Sequence, residues 1–200
     1  MIKLHEIALS GNCHKVRMLL SMLGLSYESV AVDLAAREHL APEFLALSPF
    51  GEVPALLDGS VSIRDSNAIL VYLASSYGGE AWWPKDPVLQ AKIASWLSTA
   101  ANEIAAGPNS LRLHYKWGRQ IDKVRAEQAS AKVLRILDSH LSQSQWLIGD
   151  RVSIADLAIY PYVALAPEGR VNLELHQSIL RWIGDVRGLP GYVGMPGMWS

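Results

Sequence analysis

Apolar and polar positions alternate from the start of the chain. Ile2 and Leu4 stand against Lys3 and His5, the period-two pattern of a half-buried strand. Ser10-Gly11-Asn12-Cys13 breaks the pattern as a loop. Val16, Leu19, Leu20 and Leu23 then recur at helical spacing, with Gly24 as a natural stop. Tyr27 to Val32 reads as a second strand and Pro42 to Leu47 as a short helix. Ala55-Leu56-Leu57 begins a third strand. Pro54 stands at its mouth, where a residue without an N–H can open a strand but not sit inside one. Asp58-Gly59 has hairpin-turn chemistry, with Val61 and Ile63 alternating behind it. Asp65-Ser66 opens a helix that Ala68 to Tyr77 continues and Gly78-Gly79 ends.

Beyond that point the strand signals vanish. Residues 80–87 read as a linker. Pro84 and Pro87 forbid a continuous helix, and Trp82-Trp83 pin the connection. Residues 88–106 are helical, with a break expected at Gly107-Pro108. Residues 121–141 form a long amphipathic helix whose buried side is expected to carry Val133, Ile136, Leu137 and Leu141. Ser153-Ile154-Ala155-Asp156 is a capping box with Asp in place of Glu, and Val152 is placed to staple onto Leu157. Asp156 is therefore read as structural. Leu175, Ile179, Ile183 and Val186 mark the last helix, and the Gly/Pro-rich residues 188–200 are expected to pack as coil. The chain thus divides into an α/β domain of thioredoxin-like order over 1–79, a linker over 80–87, and an all-α helical bundle over 88–200.

Composition narrows the function classes. Half of the residues are hydrophobic and 18% are charged, so a packed core is expected and disorder is not. A formal net charge of −1 argues against nucleic acid or a membrane surface as the main partner. No apolar run approaches the roughly 20 residues that a membrane span requires. Cys13 is the single cysteine, so no internal disulfide forms, and a reducing cytoplasmic setting fits. The six histidines have no metal-ligand spacing, no phosphate-binding glycine loop is present, and no G-x-S-x-G turn of a hydrolase occurs. No metal is expected.

The chemistry gathers at Ser48-Pro49-Phe50-Gly51-Glu52-Val53-Pro54-Ala55-Leu56 and at Asp65-Ser66-Asn67-Ala68-Ile69. Pro54 leaves the Val53 peptide without local pairing. A cis Val53-Pro54 bond would turn its N–H and C=O outward together, ready to pair with an extended peptide. The helix start at Asp65-Ser66 offers unpaired N–H groups and a favourable dipole to a carboxylate. A peptide site beside an anion site suits a small acidic peptide. These two motifs, with Leu147-Ile148-Gly149-Asp150 and the capping box behind them, resemble the glutathione transferase superfamily over nearly the whole chain.

The resemblance implies that glutathione is the co-substrate, that no other cofactor is needed, and that the protein is a homodimer. It implies that Val53, behind Pro54, pairs with the cysteinyl backbone. Ser66 would take the γ-glutamyl carboxylate and Asp65 its ammonium. Glu52 stands where many members carry glutamine, and His39 matches a basic position that contacts the glycyl carboxylate. For the sulfur, three candidates stay open. Ser10 aligns with the serine of theta-, delta- and zeta-like classes, Asn12 with the asparagine of a nu-like class, and Cys13 with a position often held by cysteine or serine. The residues' own chemistry also fits turn shaping for Ser10, helix capping for Asn12 and burial for Cys13. An electrophile pocket is expected to use Asn102, Asn109, Arg112 and Tyr115, with Leu111 and Trp117 supplying apolar lining. Conjugation of the glutathione thiolate to small hydrophobic electrophiles is the leading expectation. A glutathione-dependent disulfide reductase or peroxidase, and a non-catalytic binding module, are the alternatives.

Overall fold

The computed structural model describes residues 1–198. They separate into two compact units, one of residues 1–83 with 190–195, the other of residues 84–189 with the remainder of the tail.

The first unit is built on β1 (Ile2–Glu6), α1 (Gly11–Met22), β2 (Tyr27–Ala31), α2 (Pro42–Leu47), β3 (Ala55–Asp58), β4 (Val61–Arg64) and α3 (Ser66–Leu73). The sheet order is β2-β1-β3-β4. β1 runs parallel to β2 and antiparallel to β3, which the Asp58-Gly59 turn joins to antiparallel β4. Leu4 and Leu56 lie opposite each other in the register. Both are fully buried, as are Leu19 and Leu20 of α1 and Ile69, Leu70 and Leu73 of α3. α3 does not run on to Tyr77 as expected. A π-helical turn over Ala74–Gly78 follows it, and Gly79, at φ +59°, opens one further turn, α4 (Gly79–Trp82), where the linker was expected.

Residues 190–195 depart from the expected domain split by joining this unit. His14 is fully buried on α1, and its Nε2 lies 2.7 Å from the Val193 carbonyl oxygen. Gly191, at φ +80°, lies so close to Met22 that a β-carbon there would meet its Cα at 2.9 Å. Burial pushes the His14 imidazole down to about 4 from its ordinary 6.5, although the Val193 carbonyl favours the protonated ring. The unfolded chain therefore takes up this proton first as pH falls. Stability is expected to drop by about 3 kcal/mol between pH 6.5 and pH 4 from this group. Urea unfolding at neutral pH and near pH 4 should show that loss, and His14→Gln should remove most of it.

The second unit is helical: α5 (Pro87–Thr99), α6 (Ser110–Trp117), α7 (Lys123–Leu141), α8 (Ile154–Ala164) and α9 (Gln177–Arg187). Every residue of α8 is buried, as befits a helix apolar on all sides. The break expected at Gly107-Pro108 is absent. α5 widens into a π-helical stretch over Ala100–Asn109 that passes through Pro108 into α6. Gly107 sits there because a β-carbon would lie 2.7 Å from the Ser130 nitrogen of α7. The buried side of α7 carries Ala126, Ser130, Val133, Leu134, Leu137 and Leu141. Ile136, expected among them, is exposed, because it lies about 100° around the helix from Leu137. Leu175 is exposed too and precedes α9, whose buried residues are Ile179, Trp182, Ile183 and Val186.

The capping box forms as read. Ser153 Oγ accepts the Ala155 N–H, and Asp156 Oδ2 accepts the Ser153 N–H at 2.9 Å. Its other oxygen, Oδ1, accepts the Leu147 N–H at 3.0 Å and Trp182 Nε1–H at 2.9 Å, ties that the local motif does not reveal. Among the described residues, no helix is long and apolar enough to cross a membrane.

Candidate functional site

Sheet register brings three separated segments to one end of the first unit. Ala55 pairs with Arg64 and with His5. Pairing of β3 stops at Ala55, with Val53 two residues before it, Ser66 two residues after Arg64 and Ile7 two residues after His5. The loop from Ile7 to Ser10, the Val53–Pro54 segment and the start of α3 therefore converge. The Val53–Pro54 bond is cis.

The Val53 peptide has no hydrogen-bond partner among the described residues, although the strand begins two residues later. The loop before it is held from below. Ser48, fully buried, accepts the Gly51 N–H at its carbonyl (2.8 Å) and the Glu52 N–H at its hydroxyl (3.2 Å). Gly51 is at φ +63°, and a β-carbon there would stand 3.1 Å from the His39 carbonyl oxygen. His39 is half-buried in a 3-10 turn over Glu38–Leu40, which packs against this loop, and its Nδ1 is buried with no hydrogen-bond partner among the described residues. The Glu52 side chain is exposed.

Asp65 occupies φ +70°, ψ 123°, a backbone region that costs a non-glycine residue roughly 1–3 kcal/mol. Its Oδ1 offsets this by accepting the Asn67 and Ala68 N–H groups at 2.9 and 3.0 Å. Ser66 is spared from capping. Its N–H and hydroxyl make no hydrogen bond to a described residue, and they sit at the positive end of α3.

Ser10 is the N-cap of α1. Its Oγ accepts the Cys13 N–H at 3.3 Å, which leaves the hydroxyl proton to donate elsewhere. The loop is positioned by Arg17, which pairs with the buried Glu6 carboxylate and donates to the Ala8 carbonyl at 2.9 Å. Asn12 is half-buried in the first turn. Cys13 faces away from solvent. It is fully buried, its Sγ accepts the Ile7 N–H at 3.5 Å, and burial pushes its thiol up from the ordinary range. A thiol so placed lacks the thiolate character that exchange chemistry requires, so the reading of Cys13 as a reactive residue is corrected to a packing role.

One site residue escaped the sequence reading. Lys15 is 2% exposed, and its Nζ donates to Asn67 Oδ1 at 3.0 Å, joining α1 to the first turn of α3. Burial pushes its ammonium down to about 8, opposed by the Asp65 carboxylate and by Cys13. The signal was a charged residue on the apolar stripe that also carries Met18 and Leu19.

Of the expected electrophile-pocket residues, all lie on the helical run from residue 100 to 117 in the second unit. Asn102 is exposed and donates to the Ser98 carbonyl at 2.9 Å. Asn109 Oδ1 is buried with no hydrogen-bond partner among the described residues. Tyr115 is half-buried beneath the Arg170 guanidinium, 4.3 Å from the ring centre. Arg112 is corrected from a lining residue to an internal tie. It is 2% exposed, its Nε donates to Glu168 at 2.5 Å, and its guanidinium stacks on Trp117.

Residues 4–81 match the family described as glutathione S-transferase, N-terminal domain, and residues 100–190 match glutathione S-transferase, C-terminal domain. Glutathione S-transferase F9 of Arabidopsis thaliana is 32% identical over 181 residues, 84% of each chain. The chain belongs to the glutathione transferase superfamily. Among solved structures, a glutathione S-transferase from Pseudomonas fluorescens superposes with a TM-score of 0.91 at 29% identity, covering 98% of both chains. The structure described as Ure2p in complex with glutathione superposes at 0.87 with 26% identity, covering 95% of both. The α/β unit followed by a helical unit is the fold of these relatives.

Proposed function

We propose that this transferase-family protein binds glutathione on its first unit and conjugates the thiolate to small hydrophobic electrophiles. The observation that carries the reading is the unpaired Val53 peptide and the unpaired N–H and hydroxyl of Ser66, each two residues beyond the Ala55–Arg64 pair that ends the β3–β4 ladder. An extended tripeptide can take the first through its cysteinyl backbone and the second through its γ-glutamyl carboxylate. Asp65 accepts from the γ-glutamyl ammonium, with Glu52 nearby in the chain, and the half-buried His39 takes the glycyl carboxylate.

Ser10 donates its hydroxyl proton to the sulfur. A free thiol of this kind ionises near about 8.5, so little of it is thiolate at neutral pH. Lowering that value by about two units requires roughly 2.7 kcal/mol of preference for the anion. One charge-assisted hydrogen bond with the positive end of α1 is of that order. The thiol proton leaves to solvent, and the thiolate sulfur attacks the electrophilic carbon while the leaving group departs with its electron pair. No covalent enzyme intermediate forms. Asn12, in the first turn of α1, is the second candidate for the sulfur contact. The reading includes a homodimer in a reducing cytoplasmic compartment.

The test is retention on immobilised glutathione followed by an assay with an activated aryl halide. Retention and a thioether product are expected. A protein that is not retained and forms no product would be a binding module of this fold rather than an enzyme.

A further inference from the structure

We infer that Lys15 is a positioning residue for the γ-glutamyl end of glutathione, acting through Asn67 to hold the start of α3 against α1. The inference rests on the glutathione-binding reading of the first unit and extends it to a residue that does not touch the ligand.

A lysine is seldom fully buried without a counter-charge around its ammonium. The Lys15 ammonium is 2% exposed, and its hydrogen bond among the described residues goes to a neutral amide oxygen, Asn67 Oδ1, at 3.0 Å. The carboxylate whose field reaches it is Asp65, the cap of α3, whose Oδ1 accepts the Asn67 and Ala68 N–H groups. Asn67 is thus gripped at both ends: Asp65 takes its backbone N–H, and Lys15 takes its side chain. Ser66 lies between these two anchors with its own donors left over. The arrangement fixes the backbone that carries the Ser66 N–H and hydroxyl. An incoming carboxylate meets these donors at the positive end of α3. Because Ser10 caps α1, the same link ties the γ-glutamyl anchor to the helix that carries the sulfur donor.

Steady-state kinetics with each substrate varied test this in the full-length protein. Lys15→Met keeps the length and loses the charge. It is expected to raise KM for glutathione about tenfold or more, to leave KM for the electrophile within about twofold, and to lower kcat far less than kcat/KM for glutathione. Lys15→Arg should restore part of the lost affinity. A purely architectural lysine would change the thermal midpoint without this split between the two KM values. Should Lys15→Met fail to fold, Asn67→Ala cuts the link and keeps the cation; a several-fold rise in KM for glutathione is expected there. Unchanged KM for glutathione in whichever variant folds overturns the role. Wild-type protein that does not bind glutathione would instead overturn the underlying reading of the site, and the role of Lys15 with it.

Discussion

Asp156→Ala is expected to destabilise the helical unit by about 4 kcal/mol or more, a large part of the stability of an ordinary domain. The carboxylate is fully buried and takes donors from three places in the chain. Leu147 N–H comes from the loop before α8, Ser153 N–H and Oγ–H from its cap, and Trp182 Nε1–H from α9. Alanine leaves the two backbone N–H groups and the indole N–H buried without an acceptor, at about 1–3 kcal/mol each. Burial still pushes the carboxyl above its usual range despite these four bonds. The raised value means that the carboxylate gains no net stability from ionising, so stability from this group falls as pH rises through the folded value. Its contribution is the joining of loop, cap and α9 rather than a favourable charge. Ser153→Ala should cost only about 1 kcal/mol, the usual loss of a cap. Urea unfolding separates the two variants. An Asp156→Ala protein as stable as its Ser153 counterpart would contradict this reading.

The second large effect is on catalysis. Ser10→Ala is expected to lower kcat for conjugation by about tenfold or more near neutral pH, from losing most of a two-unit depression of the bound thiol. The loss should shrink as pH rises toward about 9, where bound thiol ionises unaided. The cap on α1 is lost as well, at about 1 kcal/mol, so the variant is compared only where it is folded. Ser10→Thr keeps the hydroxyl and should keep most of the rate. Cys13→Ala should leave conjugation within about twofold, because that thiol is buried under the loop. A Ser10→Ala enzyme with an unchanged pH profile would move the sulfur contact to Asn12.

The local devices of this chain were legible in its sequence. The hairpin at Asp58-Gly59, the capping box at Ser153 and the start of α3 at Asp65-Ser66 each depend on residues a few positions apart. The same holds for Val53, since Pro54 removes a local partner whatever the rest of the chain does. What was not legible depends on distant approach. Trp182 meets Asp156 across 26 residues and Lys15 meets Asn67 across 52, and neither pairing leaves a periodic trace. The return of residues 190–195 to the first unit rests on His14 meeting Val193, which is equally non-local. Ile136 and Leu175 misled because hydrophobicity alone does not settle which edge of a stripe faces the core. The π-helical passage through Pro108 escaped for another reason. Proline and glycine usually end a helix, but here the missing Cβ of Gly107 admits the backbone of α7 at Ser130.

The central claim is that this protein holds glutathione with its sulfur against the Ser10 hydroxyl and makes it easier to ionise. Ultraviolet titration of the thiolate in the binary complex measures that directly, with no electrophile present. The bound thiol is expected to ionise about two pH units below the free value of about 8.5, and Ser10→Ala to return most of that difference. A bound thiol that titrates where free glutathione does would contradict the claim.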